Sequence, residues 1–169
     1  PHGAARPADG KDMSDVATAA RLAREQEFHD HRFGGAADEP RDRFYDHVEG
    51  ATAALRAATA HLGPGDRVLE LGCGVNSLGW ELALRGASVT SIDISPVAVE
   101  HARETARAAR VDRLDARVMN AESLDLDAAG FDAVVGTGIL HHLDVDRALG
   151  EVARVLGPHG RAVFYEPLG

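Results

Sequence analysis

The sequence predicts an α/β fold, a doubly wound and mostly parallel sheet. Short apolar runs at 67–71, 88–92, 116–119, 131–136 and 161–166 alternate with helical stretches near 77–85, 96–109 and 144–155. Such alternation forces crossovers, and crossovers make neighbouring strands parallel. Runs such as Ala133-Val134-Val135 and Ala162-Val163-Phe164-Tyr165 are apolar on both strand faces, as a sheet covered by helices on each side requires. Finally, Val68-Leu69-Glu70-Leu71 runs into Gly72-Cys73-Gly74, a helix follows, and the next strand stops at Asp93. A carboxylate about 20 residues after the first glycine is the spacing of a nucleoside-binding βαβ unit. The architecture is therefore Rossmann-like.

The elements follow in order. Residues 1–11 are polar, carry two prolines and lack periodicity, which reads as a mobile tail. Residues 12–63 form an N-terminal helical cap. Ser14 resembles a helix cap, and Val16, Ala19, Ala20 and Ala23 recur at helical spacing from Asp15 to about Phe33, where Gly34-Gly35 stops the helix. A second helical segment at 41–62 places Phe44, Val48, Ala51 and Leu55 on one stripe and ends at Gly63-Pro64-Gly65. Residues 64–169 form the core, with its five strands.

Composition bounds the function. With 169 residues, 44% of them hydrophobic, the chain buries one core and reads as soluble and globular. It has neither a membrane-length apolar run nor the regions of a signal peptide, which points to the cytoplasm. Cys73 is the only cysteine, so no internal disulfide forms. A net charge of -9 without a basic cluster argues against nucleic acid and anionic membranes and favours small molecules or proteins as partners.

Gly72 and Gly74 allow a tight bend close to a ligand, and Asp93 can accept hydrogen bonds from two ribose hydroxyls. A dinucleotide fingerprint would need glycine where Ser77 stands, and its pyrophosphate would be repelled by Glu70. Glu70 suits a ligand with a cationic amine and no phosphate. Here the chain resembles the class I S-adenosylmethionine-dependent methyltransferases, from roughly 65 to 168. The motifs are Glu70-Leu71-Gly72-Cys73-Gly74, Ile92-Asp93-Ile94-Ser95, Met119-Asn120-Ala121-Glu122, Phe131-Asp132-Ala133-Val134-Val135, Leu140-His141-His142-Leu143 and Leu156-Gly157-Pro158-His159-Gly160.

The resemblance implies a methyltransferase fold and S-adenosylmethionine as cofactor. Gly72 and Gly74 would line the methionine portion beside Cys73, Glu70 would orient its amine through bound groups or water, and Asp93 would hold the ribose. Ile94 would pack on the adenine, with Asn120 and Ala121 at its edge. Taken singly, the glycines also suit an ordinary strand-to-helix turn and Asp93 a helix N-cap ahead of Pro96. Asn76 stands where the family motif often has its third glycine, a departure that either preserves the turn through left-handed backbone angles or weakens cofactor binding.

His141 and His142 follow the fourth strand, at the sheet edge where such folds bind ligands. Either could act as general base, with His141 favoured slightly, or both could simply pack the turn against the sheet. No metal site is expected from this pair, since neighbouring side chains rarely converge on one ion. Phe28, His29, Arg32 and Tyr45 are the candidate acceptor-site residues of the cap, with helix packing the competing reading for the aromatics.

The family's sheet usually continues with two more strands, whereas this sequence stops at Gly169 after the fifth. A partner chain, a separate C-terminal half or a second copy, would then complete the sheet and the substrate pocket, making a heteromer in the first case. The alternative is a fragment or a disordered remainder. The expected function is methyl transfer to a small-molecule acceptor in secondary metabolism. Two other readings stay open: a methyltransferase-like subunit that promotes intramolecular displacement or cyclisation with loss of sulfate or phosphate, and a non-catalytic stabilising subunit.

Overall fold

A computed structural model of the chain describes residues 13–34, 53–75 and 77–166. Five strands, β1 (Arg67–Leu71), β2 (Ser88–Asp93), β3 (Leu114–Val118), β4 (Phe131–Thr137) and β5 (Leu156–Tyr165), form one sheet in the order β3-β2-β1-β4-β5. Every pairing is parallel. The described helices are α1 (Met13–Gly34), a short segment at 53–58, α2 (Gly79–Leu84), α3 (Pro96–Ala108) and α4 (Val145–Val155), with a 3-10 turn at Leu140–His142. Because β2 and β4 flank β1, the winding reverses between β1 and β4, and their carboxyl ends open the crevice where such sheets take ligands.

Alternation along the strands builds two cores. Val68, Val89, Ala133 and Val135 face α2 and the 53–58 segment, meeting Leu82, Ala83 and Leu55. Leu69, Leu71, Ile92 and Val134 face the other way, toward Val152 and Val155 of α4. Each buried Leu, Ile or Val side chain stabilises this sandwich by roughly 1.5–3 kcal/mol. α3 closes over β3 through Ala98, Val99 and Ala102 against Ala116. It begins at Ser95, whose hydroxyl accepts from Ala98 N, and Pro96 supplies a first-turn residue that needs no donor.

Several boundaries differ from the sequence expectation, each for a tertiary reason. α2 starts at Gly79 rather than 77 because the Leu78 and Gly79 amides turn toward the Glu70 carboxylate. β3 starts at Leu114 rather than 116, since its register with β2 begins at Val89 opposite Leu114. β5 starts at Leu156 rather than 161: Leu156 pairs with Phe131, the chain makes an excursion, and pairing resumes with Arg161 opposite Ala133. Of the expected helix at 41–62, the part at 53–58 is helical, followed by turns to 61. Phe44, Tyr45, Val48, Ala51 and Asn76 lie outside the described residues.

Candidate functional site

The site grows from two strand ends. After β1 the backbone turns through Gly72 (φ +71°) and Gly74 (φ +45°), the left-handed region that favours glycine. The Gly72 and Cys73 amides donate to Ile92 O at 2.8 and 3.0 Å, which ties the turn to the end of β2. A Cβ on Gly72 would stand 2.8 Å from Ile139 Cδ1, so the loop after β4 packs directly on this bend.

Asp93 is 8% exposed at the tip of β2. Its Oδ2 accepts from Gly74 N and its Oδ1 from Ser95 N, both at 2.9 Å. Two of the roughly four lone-pair positions of a carboxylate are thus used, and two are left for a diol. Ser95, not Asp93, caps α3. Glu70, beneath the turn, accepts from Ser77 Oγ and Ser91 Oγ at 2.6 Å, Leu78 N at 2.6 Å and Gly79 N at 3.0 Å. Burial raises its pKa, opposed by these four donors. In this position Glu70 organises the turn from below. Burial, then the charges of Glu70 and Asp93, push the Cys73 thiol far up, so Cys73 serves as a small buried side chain.

Ile94 is half-buried and Ala121 buried beside this edge. Asn120 Oδ1 accepts from Glu122 N at 2.9 Å, which identifies the oxygen end of the amide and leaves its NH2 as the group for a ring nitrogen.

His141 and His142 occupy the 3-10 turn after β4, their ring centroids 4.1 Å apart, and engage different carboxylates. His141 Nδ1 lies 2.8 Å from Glu166 Oε2, while Glu166 Oε1 accepts from Ile139 N and Leu140 N at 2.8 and 2.9 Å. Burial opposes ionisation of Glu166, but the His141 ring and these two amides outweigh it and hold the carboxyl below its ordinary range. His142 points to α1, its Nδ1 3.1 Å from Glu25 Oε2. Burial, then the neighbouring rings of His141 and His29, lower its pKa against the opposing pull of Glu25.

α1 lies across this edge. Arg21 Nη2 donates to both Glu122 oxygens at 2.6 Å and Arg21 Nη1 to His142 O at 3.2 Å, and the Ser95 hydroxyl donates to Asp30. Phe33 stands 3.5 Å from where a Gly74 Cβ would be. His29 stacks on Phe33 at 5.5 Å and meets His142 edge-on at 4.8 Å. Phe28 is 51% exposed, with the Arg32 guanidinium 6.0 Å from its ring centre. Of the cap residues anticipated from sequence, His29 is in the site, Phe28 and Arg32 sit on its rim, and Tyr45 lies outside the described residues.

Sequence reasoning gave no role to Glu25, Glu122 or Glu166. Glu166 had a legible signal, a carboxylate ending an apolar strand at the same edge as Asp93, whereas Glu25 and Glu122 sit among many surface acids. A hollow of about 960 Å³, lined by residues such as Arg67, Ser88, Arg113 and Arg154, is at the opposite end of the strands. It is open and polar, and parallel sheets of this order take ligands at the carboxyl edge instead.

Comparison with known proteins agrees with this geometry. Residues 69–164 match the family described as methyltransferase domain. The chain is 36% identical over 164 residues to EEF1A lysine methyltransferase 4 of Mus musculus, covering 86% of this chain and 62% of that protein. It is 37% identical over 101 residues to a ubiquinone biosynthesis O-methyltransferase of Alkalilimnicola ehrlichii, covering 59% of this chain and 41% of that one. Among solved structures, the [4+2]-cyclase SpnF superposes with a TM-score of 0.64 at 26% identity, covering 88% of this chain and 58% of that one. The chain thus spans less than two thirds of each of these relatives. No helix among the described residues is long and apolar enough to cross a membrane. The family match takes in all but the first two residues of β1 and all but the last of β5, and the chain belongs to the S-adenosylmethionine-dependent methyltransferase domain family.

Proposed function

We propose that this chain transfers the methyl group of S-adenosylmethionine to a nucleophilic oxygen or nitrogen of a small molecule. The observation that carries the reading is the meeting of the bare Gly72–Gly74 bend with the Asp93 carboxylate, Gly74 N to Asp93 Oδ2 at 2.9 Å. The donor set fits the cofactor: Asp93 has acceptor capacity for a ribose diol, Asn120 has its NH2 for a ring nitrogen, and the bend has no Cβ in the way. When bound, the cofactor supplies an electrophilic methyl on a sulfonium.

The chain's own residues then position and deprotonate the acceptor. Glu166 accepts from His141 Nδ1–H, which fixes the tautomer and leaves Nε2 with a lone pair to take the acceptor's proton. The Glu166 carboxylate also stabilises the imidazolium that forms. α1 covers the bend through Phe33 and excludes water from it. A cover this close favours a small acceptor over a protein lysine, and a place in secondary metabolism belongs to the same reading.

Calorimetry with S-adenosylmethionine tests the first step. The native protein should bind, and Asp93→Ala should lose binding while its far-UV circular dichroism stays native. A native protein that takes up no cofactor would sink the proposal. Likeness to a [4+2]-cyclase favours a second reading, cofactor binding that supports ring closure without methyl transfer; failure to form S-adenosylhomocysteine with any acceptor, despite binding, would select it. β5 is an edge strand of the described sheet with half-buried Val163, Phe164 and Tyr165, so further strands, from this polypeptide or a partner, would dock there.

A further inference from the structure

His141 pairs with Glu166, whereas His142 converges with two side chains from the other end of the chain. Glu25 and His29 are one turn apart on the same face of α1. The donor atoms of Glu25, His29 and His142 all lie within 4.8 Å of one another. The three side chains are 30%, 14% and 24% exposed, a shielded recess under α1.

Ordinary ion pairing accounts for only part of this cluster. Glu25 Oε2 is 3.1 Å from His142 Nδ1, a hydrogen bond, but 3.8 Å from His29 Nε2, beyond one. His29 Nδ1 is buried with no hydrogen-bond partner. Among the described residues no group hydrogen-bonds either nitrogen of this largely buried imidazole, which leaves its Nε2, on the Glu25 side, able to give a lone pair. The two rings meet edge-on with centroids 4.8 Å apart. A cation between them would take a lone pair from each neutral ring and one from the carboxylate.

We propose that Glu25, His29 and His142 form a binding site for a divalent transition ion of the zinc or cobalt class. Two imidazoles and one carboxylate are a donor set these ions prefer over calcium or magnesium. Metal–nitrogen and metal–oxygen bonds of about 2.0–2.2 Å place tetrahedral donors about 3.3 Å apart. The 3.1 and 3.8 Å separations straddle that value, so side-chain rotations close the shell. Three protein donors leave at least one position for water or an acceptor oxygen.

The ion would clamp α1 onto the turn after β4 and thereby hold Phe33 over the glycine bend. It would do so next to His141, on the side of the crevice where an acceptor enters. The site is independent of the methyl-transfer reading, since it is measured without S-adenosylmethionine.

The test uses the purified protein after chelator treatment and desalting, titrated calorimetrically with zinc chloride alone and, in parallel, with cobalt chloride followed by visible absorption. One ion per chain and a cobalt d–d band are expected. Glu25→Gln and His29→Gln, which keep side-chain volume, should each weaken zinc binding by about tenfold or more, whereas His101→Ala, at an exposed histidine of α3, should leave it unchanged. Zinc-edge X-ray absorption of the native protein should count two imidazoles, a measurement that needs no variant to fold. A folded native protein that takes up no ion, equal affinity in folded glutamine variants, or an absorption spectrum without imidazole would overturn the assignment.

Discussion

Replacing Glu70 with alanine removes four hydrogen bonds from one buried carboxylate. The donors differ in what they can do next. Ser77 and Ser91 hydroxyls rotate to other acceptors and the Gly79 amide keeps Ser77 Oγ at 3.0 Å, but the Leu78 amide, at the start of α2, faces only Glu70 Oε1. A buried donor left unsatisfied costs about 1–3 kcal/mol and each of the other three lost bonds about 0.5–1.5, and relief of the carboxylate's desolvation returns part of that. The net loss should be about 2–4 kcal/mol. For a domain of this size that lowers Tm by about 5–15 °C. Glu70→Gln is the informative contrast: its oxygen can face the two amides and its NH2 the two hydroxyls, which rotate to accept, so the loss should be about 1 kcal/mol. Thermal unfolding followed by far-UV circular dichroism reads both variants. The same substitutions should weaken S-adenosylmethionine binding in the same order, because the bend over Glu70 loosens. An alanine variant within about 2 °C of native, or a glutamine variant as damaged as alanine, would refute this account of the turn.

Cys73 should resist thiol reagents in the native protein at mildly alkaline pH and react fully in denaturant, because burial and the Glu70 and Asp93 charges push its thiol far up; rapid native labelling would contradict its placement. Glu166→Gln should lower kcat by about tenfold to a hundredfold while leaving cofactor affinity unchanged, since Glu166 holds His141 and touches no cofactor residue; a change in cofactor binding alone would argue against that role. The Arg67 backbone N–H, aided by its guanidinium, holds Asp132 below its ordinary 3.8. A depressed carboxyl contributes stability that is present above its unfolded pKa and lost as pH falls through the folded one. Asp132→Asn should therefore cost under about 1 kcal/mol at neutral pH, Asp132 being 44% exposed and screened, and the gap should close below pH 3.8; a gap that widens in acid would reverse the sign.

Five strands, their parallel pairing and the glycine bend were legible in the chain because each is written in short-range pattern. Apolar runs separated by helical spacing need no knowledge of neighbours, and Gly72, Gly74 and Asp93 lie close enough in sequence that one crossover brings them together. Strand ends were less legible: where β5 begins was set by Leu156 finding Phe131, a pairing across the sheet that periodicity does not encode. Nor did any local pattern mark Glu70 as a brace beneath the turn, because its partners Ser77 and Ser91 look like ordinary polar residues until the strands are laid side by side.

The site's second half came from packing alone. Glu25 is 117 residues from His142, on a helix whose acidic and aromatic side chains read equally well as a solvated face. What brings them within 3.1 Å is Arg21 on Glu122 and Ser95 on Asp30, which seat α1 on the carboxyl edge of the sheet. Local sequence encodes backbone conformation because it acts through steric and hydrogen-bonding rules between near neighbours. Meetings between distant side chains depend on how whole elements dock, and docking is set by the summed shape and charge of surfaces that exist only once the sheet has formed.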